Sequence, residues 1–506
     1  MFTDIRAALI HQGQTIPERP FLFSEPDGRS YTYKEFVDSV MRISSLLVRL
    51  NVKKGDKVSL LLQNSAEYVL AYFACFAIGA VAGPVNSHLK SEEIEFVLNN
   101  SESVVLVTES LYWPRVVEIR EQLKSLRDVV ITDATIKGTH SWQEALTDKP
   151  GDLPNVDLDP YDEAFIIYTS GTTGKPKGVL LTHRNLLANA EQISSWLGIT
   201  ETDRMLCIMP LFHVNAVMVT MLTPFSVGGS MVVMPKFSAS RHWEVVDKYR
   251  VTSFGSVATM LAMLNQRHQD GVPQGMDLSC VRFALCGSAP VPVPVMEEFE
   301  RKFGVLVVEG YGLSECACRA TFNPPNKGRL AGSIGLPIGP ELRVVDDNDN
   351  DLPEGQAGEI VMRGSNVMKG YFKNAEATAK TLRNGWLHTG DIGYRDASGF
   401  YYLVDRKNDM IIRAGENIYP REIDEVLYTH PAVQDAATIG VPDKLYGEEV
   451  RSFVVLKSDQ KATENQLIEY CQTKLADYKC PKSIVFLKEI PKGPTGKLLK
   501  RELRNL

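Results

Sequence analysis

Apolar and polar positions along the chain alternate between two textures. Short β-branched runs at residues 57–62, 104–108, 129–132, 165–168 and 305–308 predict strands, and helical periodicity fills longer stretches such as 33–50 and 92–99. Strands separated by helices predict an α/β architecture with largely parallel sheets, because parallel neighbours need a crossover connection. From about residue 335 to 402 the strands become short and are broken by Gly, Asp and Asn, as at 342–345 and 358–362, which predicts a small and more antiparallel β unit. A charged junction, Asp405-Arg406-Lys407-Asn408-Asp409, precedes a new set of elements. These are a helix at 420–429, strands at 433–441 and 451–457, and a helix at 464–475. A polar junction followed by a self-contained set marks a domain boundary. Residues 1–407 are therefore expected to form a large N-terminal domain and residues 408–506 a small C-terminal one.

A chain of 506 residues exceeds what one core usually supports, which agrees with that division. Its 44% hydrophobic and 23% charged residues are ordinary for a globular protein, and the net charge of -7 is spread without blocks, so no basic field calls for nucleic acid. The first residues mix Asp4, Arg6, His11, Gln12 and Glu18 among apolar ones, unlike the continuous apolar core of a secretory signal. The longest apolar run, 69–85, is interrupted by Gly79, Gly83 and Pro84. It is expected to be a buried helix and turn, with no integral membrane segment. The 8 cysteines are irregularly placed, and Cys316 and Cys318 are spaced for neither a zinc knuckle nor a CxxC redox pair. Reduced thiols and a cytoplasmic location are expected.

Chemistry enters directly behind the apolar run at 165–168, with Thr169-Ser170-Gly171-Thr172-Thr173-Gly174-Lys175-Pro176-Lys177-Gly178. Glycines let backbone N–H groups approach phosphate, hydroxyls add donors, and lysines supply counter-charge. This composition suits a polyphosphate. It is not a Walker A loop, because no Gly-Lys-Ser/Thr closes it. A flexible Gly/Ser/Thr linker would not explain two lysines placed around a proline behind a buried strand.

The run from Tyr168 to Gly178 resembles the signature loop of the adenylate-forming superfamily, which includes acyl-CoA and aryl-CoA synthetases, firefly-type luciferases and the adenylation domains of peptide synthetases. Further matches follow in the family's order: Pro210-Leu211-Phe212-His213, Gly287-Ser288-Ala289-Pro290, Glu309-Gly310-Tyr311-Gly312-Leu313-Ser314-Glu315, Gly358-Glu359, Trp386-Leu387-His388-Thr389-Gly390-Asp391, Asp405-Arg406, Gly415-Glu416-Asn417-Ile418-Tyr419-Pro420 and Pro494-Thr495-Gly496-Lys497. The resemblance implies an α/β fold, with a large N-terminal domain of two α/β sheets plus a β-barrel and a small mobile α+β C-terminal domain.

It also implies roles. Thr169, Ser170, Gly171, Thr172, Thr173, Gly174 and Lys177 would hold the ATP phosphates. Ser288, Ala289, Glu309, Gly310, Gly312 and Ser314 would line the nucleotide site, with Tyr311 stacked on adenine and Asp391, assisted by Arg406, on the ribose hydroxyls. Glu315 and Thr173 would bind Mg²⁺. Attack of a carboxylate on the α-phosphate builds negative charge that fixed donors, a metal and a lysine can meet, and Lys497 is implied as that lysine. Taken alone, Lys497 would read as a solvated charge, Asp391 as a helix cap and Arg406 as a surface ion pair. His213, by itself a core histidine, would lie beside the acyl carboxylate.

For the second step Asn408 would be the hinge on which the small domain swings, bringing Ala414, Gly415 and Glu416 to a pantetheine tunnel. Ala414 stands where the family frequently has glycine. The acyl pocket is expected from His213, Val214, Met218, Phe254, Gly255, Val257, Gly287, Gly310, Cys318 and Arg319. No carboxylate occurs in 214–218 to pair with an α-ammonium, which argues against an amino-acid substrate. Arg319 reads either as a solvent-facing or turn-capping residue, the favoured choice, or as the partner of a second anionic group on the acid.

The chain is thus expected to be an acid–thiol ligase that uses ATP, Mg²⁺ and coenzyme A to activate a fatty or aryl acid through an acyl-adenylate. An adenylating enzyme that loads a carrier-protein phosphopantetheine is the alternative. A luciferase-like oxidative enzyme and a nonenzymatic binding module are more distant readings. The expected partners are a small carboxylic acid, ATP and CoA, without nucleic acid, and a homodimer is an open expectation.

Overall fold

The structure, a computed structural model, describes residues 2–149, 151, 153–169, 176–287, 291–326, 328–407, 409–414, 416–493, 498–504 and 506. Two large sheets form the body. In the first, of nine strands, six run parallel in the spatial order Leu306–Tyr311, Phe283–Cys286, Ser253–Ser256, Arg204–Cys207, Ser230–Val233 and Pro20–Ser24. In the second, of eight, the parallel set centres on Lys57–Leu61 between Val81–Pro84 and Ser103–Thr108, and it turns antiparallel where Glu163–Thr169 meets Lys177–Thr182.

The longest apolar run becomes the helix Ala66–Ile78 followed by the strand Val81–Pro84. Ser65 caps the helix by accepting from the Tyr68 N–H, and Gly79 ends it at φ 73°, a left-handed conformation that costs glycine little. All 13 of its residues are buried, as expected of a helix that is apolar all round. It touches strands of both large sheets. Phe73 packs edge-on against Phe21, Phe36 and Phe225 with centroids 4.6–6.1 Å apart, locking the two sheets to one core. No helix among the described residues is long and apolar enough to cross a membrane. All 8 cysteines are free, and no cluster of three or more His, Cys, Asp or Glu among the described residues could hold a metal.

The β unit expected after residue 335 is a five-stranded sheet in which Gly358–Arg363 and Trp386–Arg395 are the central pair and Tyr401–Arg406 lies along Trp386–Arg395. An isolated bridge between Gly335 and Tyr401 ties it to the body. Beyond it, Val433–Asp443 and Gly447–Leu456 form a long antiparallel pair, Ser483–Phe486 adds in parallel, and the helices Pro420–Tyr428 and Glu464–Gln472 cover this sheet. Ile411, Ile423, Leu427, Val450, Val454 and Leu467 give this region a core of its own.

Candidate active site

The phosphate-loop hairpin is built by strands Glu163–Thr169 and Lys177–Thr182, with Thr169 opposite Lys177. Ser170, Gly171, Thr172, Thr173 and Gly174 lie outside the described residues. The Lys177 ammonium stands 5.0 Å from the centroid of the Tyr371 ring, and the Tyr371 hydroxyl donates to Glu315 Oε1 at 2.8 Å. Burial and then the charge of Glu315 push the Tyr371 phenol well up, so it stays a donor. Tyr371 belongs to the short strand Gly370–Tyr371 paired with Val179 and Leu180, and Met368 N–H donates to the Glu315 carbonyl at 2.8 Å. Backbone pairing thus holds the base of the loop, Tyr371 and Glu315 together. No sequence motif pointed to Tyr371.

A second constellation adjoins it. Asp391 and Arg406 are register partners on adjacent strands, with Arg406 Nε 3.3 Å from Asp391 Oδ1. The Tyr311 hydroxyl donates to Asp391 Oδ2 at 2.6 Å. Burial first, and the Asp391 charge next, raise the Tyr311 phenol well above its ordinary value and keep its proton in place. Partial burial works against the Arg406 charge, but Asp391, Tyr311, Asp409 and Glu315 outweigh it. Arg406 therefore senses both the expected ribose ligand and the expected metal ligand. Ser314 opens the 3₁₀ turn Ser314–Cys316 that carries Glu315, and a side chain on Gly312 would collide with the Cys318 carbonyl. The Glu309 carboxyl is pushed up to about 7 by burial; its Oε1 accepts from Val291 N–H at 3.2 Å and its Oε2 has no partner among the described residues. Ser288 and Ala289 lie outside the described residues.

On the acyl side, the loop before the π-helix Ala216–Leu222 is pinned from the other sheet. Asn64 Nδ2 donates to Met209 O at 2.9 Å, Leu211 N–H donates to Asn64 Oδ1 at 2.7 Å, and the Tyr72 hydroxyl donates to Leu211 O at 2.6 Å. This fixes His213, whose ring lies 4.6 Å from that of Phe212. Burial, and then neighbouring His88, hold the His213 imidazole down at about 4, so it is neutral at pH 7, with Nε2 unpartnered among the described residues. Val214 and Met218 are buried on the same segment. π-Helices concentrate at functional sites, but their one-residue widening leaves no clear periodic signature in sequence.

Phe254 is a correction. It was expected in the acyl pocket, yet its ring packs 4.5 Å from that of His242 in a core with Trp243 and Phe299. Alternation along the strand turns Gly255, also expected in the pocket, to the other side, where a Cβ would meet Thr220 at 3.4 Å and Met209 at 3.8 Å. Val257 packs in the core cluster that contains Val214 and Met218. Gly287 and Gly310 lie at the C-terminal ends of adjacent parallel strands, where open α/β sheets bind ligands.

Arg319 is a second correction: of the favoured reading, solvent-facing or turn-capping, the solvent-facing half fails, because the residue is 2% exposed. Its Nη1 donates to Gly310 O at 2.8 Å, and Cys318 beside it is also buried. Asn189, unremarked in the sequence, clamps this backbone by donating to Arg319 O at 2.7 Å and accepting from Arg319 N–H at 3.0 Å.

In the C-terminal region, strands Ile411–Arg413 and Glu416–Ile418 form a hairpin whose tip carries Ala414 at φ 53° and an exposed Glu416. Gly415, Asn408 and Lys497 lie outside the described residues. Asp405 meets the start of the helix Pro420–Tyr428 by accepting from Arg421 N–H at 2.9 Å, and Lys500 Nζ stands 3.8 Å from Asp405 and 3.9 Å from Asp409.

The AMP-binding enzyme family profile matches residues 9–372, and that of the AMP-binding enzyme C-terminal domain matches residues 422–497. The sulfoacetate–CoA ligase of Cupriavidus necator is 36% identical over 100% of this chain and 98% of its own. The anthranilate CoA ligase AuaEII in complex with anthranoyl-AMP superposes at a TM-score of 0.91 with 29% identity, over 99% of this chain and 96% of that one. ATP-bound MatB from Rhodopseudomonas palustris superposes at 0.92 with 28% identity, covering 100% and 99%, whereas the apo form of MatB superposes at 0.81. With the loop hairpin, Tyr311, Glu315, Asp391 and Arg406 gathered as its motifs require, the chain belongs to the AMP-binding enzyme family of the adenylate-forming superfamily, among acyl- and aryl-CoA ligases.

Proposed function

We propose that the chain catalyses ATP-dependent ligation of a carboxylic acid to coenzyme A, releasing pyrophosphate as the acyl-adenylate forms and AMP as the thioester forms. The observation that carries this reading is the contact path from Lys177 through Tyr371 to Glu315, with Arg406 close to the charges of both Glu315 and Asp391. It gathers polyphosphate, metal and ribose chemistry together and leaves His213 and the Gly287 and Gly310 backbone for the acid.

The donor set fits magnesium, which favours one or two carboxylates completed by water and phosphate oxygens. Glu315 and Thr173 would hold the ion, which supplies counter-charge to the triphosphate when bound. Tyr371 orients the Glu315 carboxylate, Lys177 faces the phosphates, and Asp391 accepts from the ribose hydroxyls while Tyr311 and Arg406 fix its orientation. Neutral His213 offers its ring nitrogen to the acid's carboxylate. Lys497, from the small domain, would bridge that carboxylate and the α-phosphate.

Swinging of the small domain about Asn408 would then exchange Lys497 for the hairpin bearing Ala414, Gly415 and Glu416, opening the thiol path. The higher TM-score to ATP-bound MatB than to its apo form supports the adenylate-forming arrangement for the present domain placement. The names of three relatives range from sulfoacetate to long-chain fatty acids and anthranilate, and all three are called CoA ligases, which supports CoA over a carrier protein as acceptor. Free thiols throughout support work in the cytoplasm.

Acid-dependent exchange of labelled pyrophosphate into ATP, followed by AMP release on adding CoA, tests the proposal. Absence of exchange across fatty, aryl and dicarboxylic acids would overturn it, and AMP release with a phosphopantetheinylated carrier but not with CoA would favour the carrier-loading alternative.

A further inference from the structure

Arg319 stands out among the buried cations. Its guanidinium is enclosed, donates to Gly310 O at 2.8 Å, and keeps Nε without any partner among the described residues. No carboxylate among those residues lies within ion-pair distance of it. The group lies over the backbone at the C-terminal ends of Phe283–Cys286 and Leu306–Tyr311: a Cβ on Gly287 would stand 2.7 Å from Nη2. The Phe322 ring backs it, 5.2 Å from its centre. Asn189 holds the main chain of Arg319 at both N–H and C=O, so the side chain starts from a fixed point.

Burying a charge without an ion-pair partner is costly, Glu309 acting on it only from beyond ion-pair distance, and a guanidinium with five donors and one protein acceptor among the described residues is under-satisfied. Its planar fork matches a carboxylate or sulfonate in two parallel hydrogen bonds. We propose that Arg319 recognises a second anionic group on the acid substrate, a carboxylate or sulfonate distal to the carboxyl that is adenylated.

The inference rests on the ligase reading and names its substrate class. An Arg319 that only braces the Gly310 carbonyl and packs on Phe322 would support all acids alike, so the two roles separate by substrate. Pyrophosphate release would be measured for the full chain with malonate, succinate and sulfoacetate against propionate, butyrate and pentanoate, in the wild type, Arg319→Met and Arg319→Lys. The wild type should prefer the distal anions. In Arg319→Met the ratio of kcat/KM for anionic over neutral acids should fall by at least about a hundredfold, the behaviour of a site built to pair a polar substrate group. Arg319→Lys should recover part of that ratio. Equal effects on both classes, or wild-type turnover of neutral acids only, would overturn the subsite while leaving the ligase intact. Release with no acid would overturn both. Should Arg319→Met not fold, the wild-type preference decides, together with its thermal stabilisation by AMP plus sulfoacetate against AMP plus butyrate; no difference between the two overturns the subsite.

Discussion

Replacing Tyr371 with phenylalanine removes one hydroxyl and keeps the ring. The lost group is the donor to Glu315 Oε1 at 2.8 Å, while the contact with the Lys177 ammonium at 5.0 Å depends on the ring face and survives. A hydrogen bond to a charged acceptor contributes about 1.5–3 kcal/mol. At about 1.4 kcal/mol per factor of ten, Tyr371→Phe should slow acyl-adenylate formation roughly 10- to 100-fold. Because the hydroxyl orients the proposed metal ligand, the half-saturating Mg²⁺ concentration should rise along with the fall in rate. Rapid-quench measurement of pyrophosphate across a Mg²⁺ series reads both quantities. Thioester formation from supplied acyl-adenylate, which no longer needs the triphosphate neutralised, should change by no more than about twofold. An equal loss in both half-reactions, or a slower first step with unaltered Mg²⁺ dependence, would refute the reasoning.

Three further outcomes follow from the same geometry. Lys497→Ala should slow adenylation by about 10²- to 10³-fold, the scale for one preorganised donor, and spare the thioester step when acyl-adenylate is supplied; equal loss in both steps would remove Lys497 from that role. Ala414→Gly should relieve the left-handed backbone at φ 53° and raise stability in urea unfolding by about 1 kcal/mol, whereas a lower midpoint would show that the conformation carries no strain. Stability should also depend on pH through Asp424, whose carboxyl burial lifts from 3.8 to about 7. The folded protein keeps this proton where the unfolded chain has released it, so the Asp424 contribution is full below about pH 4 and is lost as pH rises to about 7. Asp424→Asn should therefore gain on the wild type between about pH 4 and 7 in urea unfolding, and a pH-independent difference would contradict the assignment.

Local chemistry was the legible part of the site. The Gly/Thr/Lys run behind an apolar strand announced the phosphate hairpin, and the alternation of strands with helices announced the α/β body, because each depends on neighbours in sequence. The positions of Tyr371 and Asn64 were not legible. Tyr371 acts on Glu315, 56 positions away, and Asn64 holds a loop 145 positions on, so their roles exist only after the sheets assemble. Phe254 was misplaced for a simpler reason: it and Gly255 were both expected in the pocket, whereas a strand's period of two sends neighbouring side chains to opposite faces. Arg319 failed similarly, since an arginine in a loop reads as solvated unless tertiary structure encloses it.

The most direct test mixes enzyme, ATP, Mg²⁺ and a productive acid without CoA, quenches within one turnover, and identifies the products. An enzyme-bound acyl-adenylate equal to the pyrophosphate released, discharged to AMP and acyl-CoA when CoA is added, is the predicted result. ADP and phosphate in place of AMP and pyrophosphate, or an adenylate that CoA leaves untouched, would contradict it.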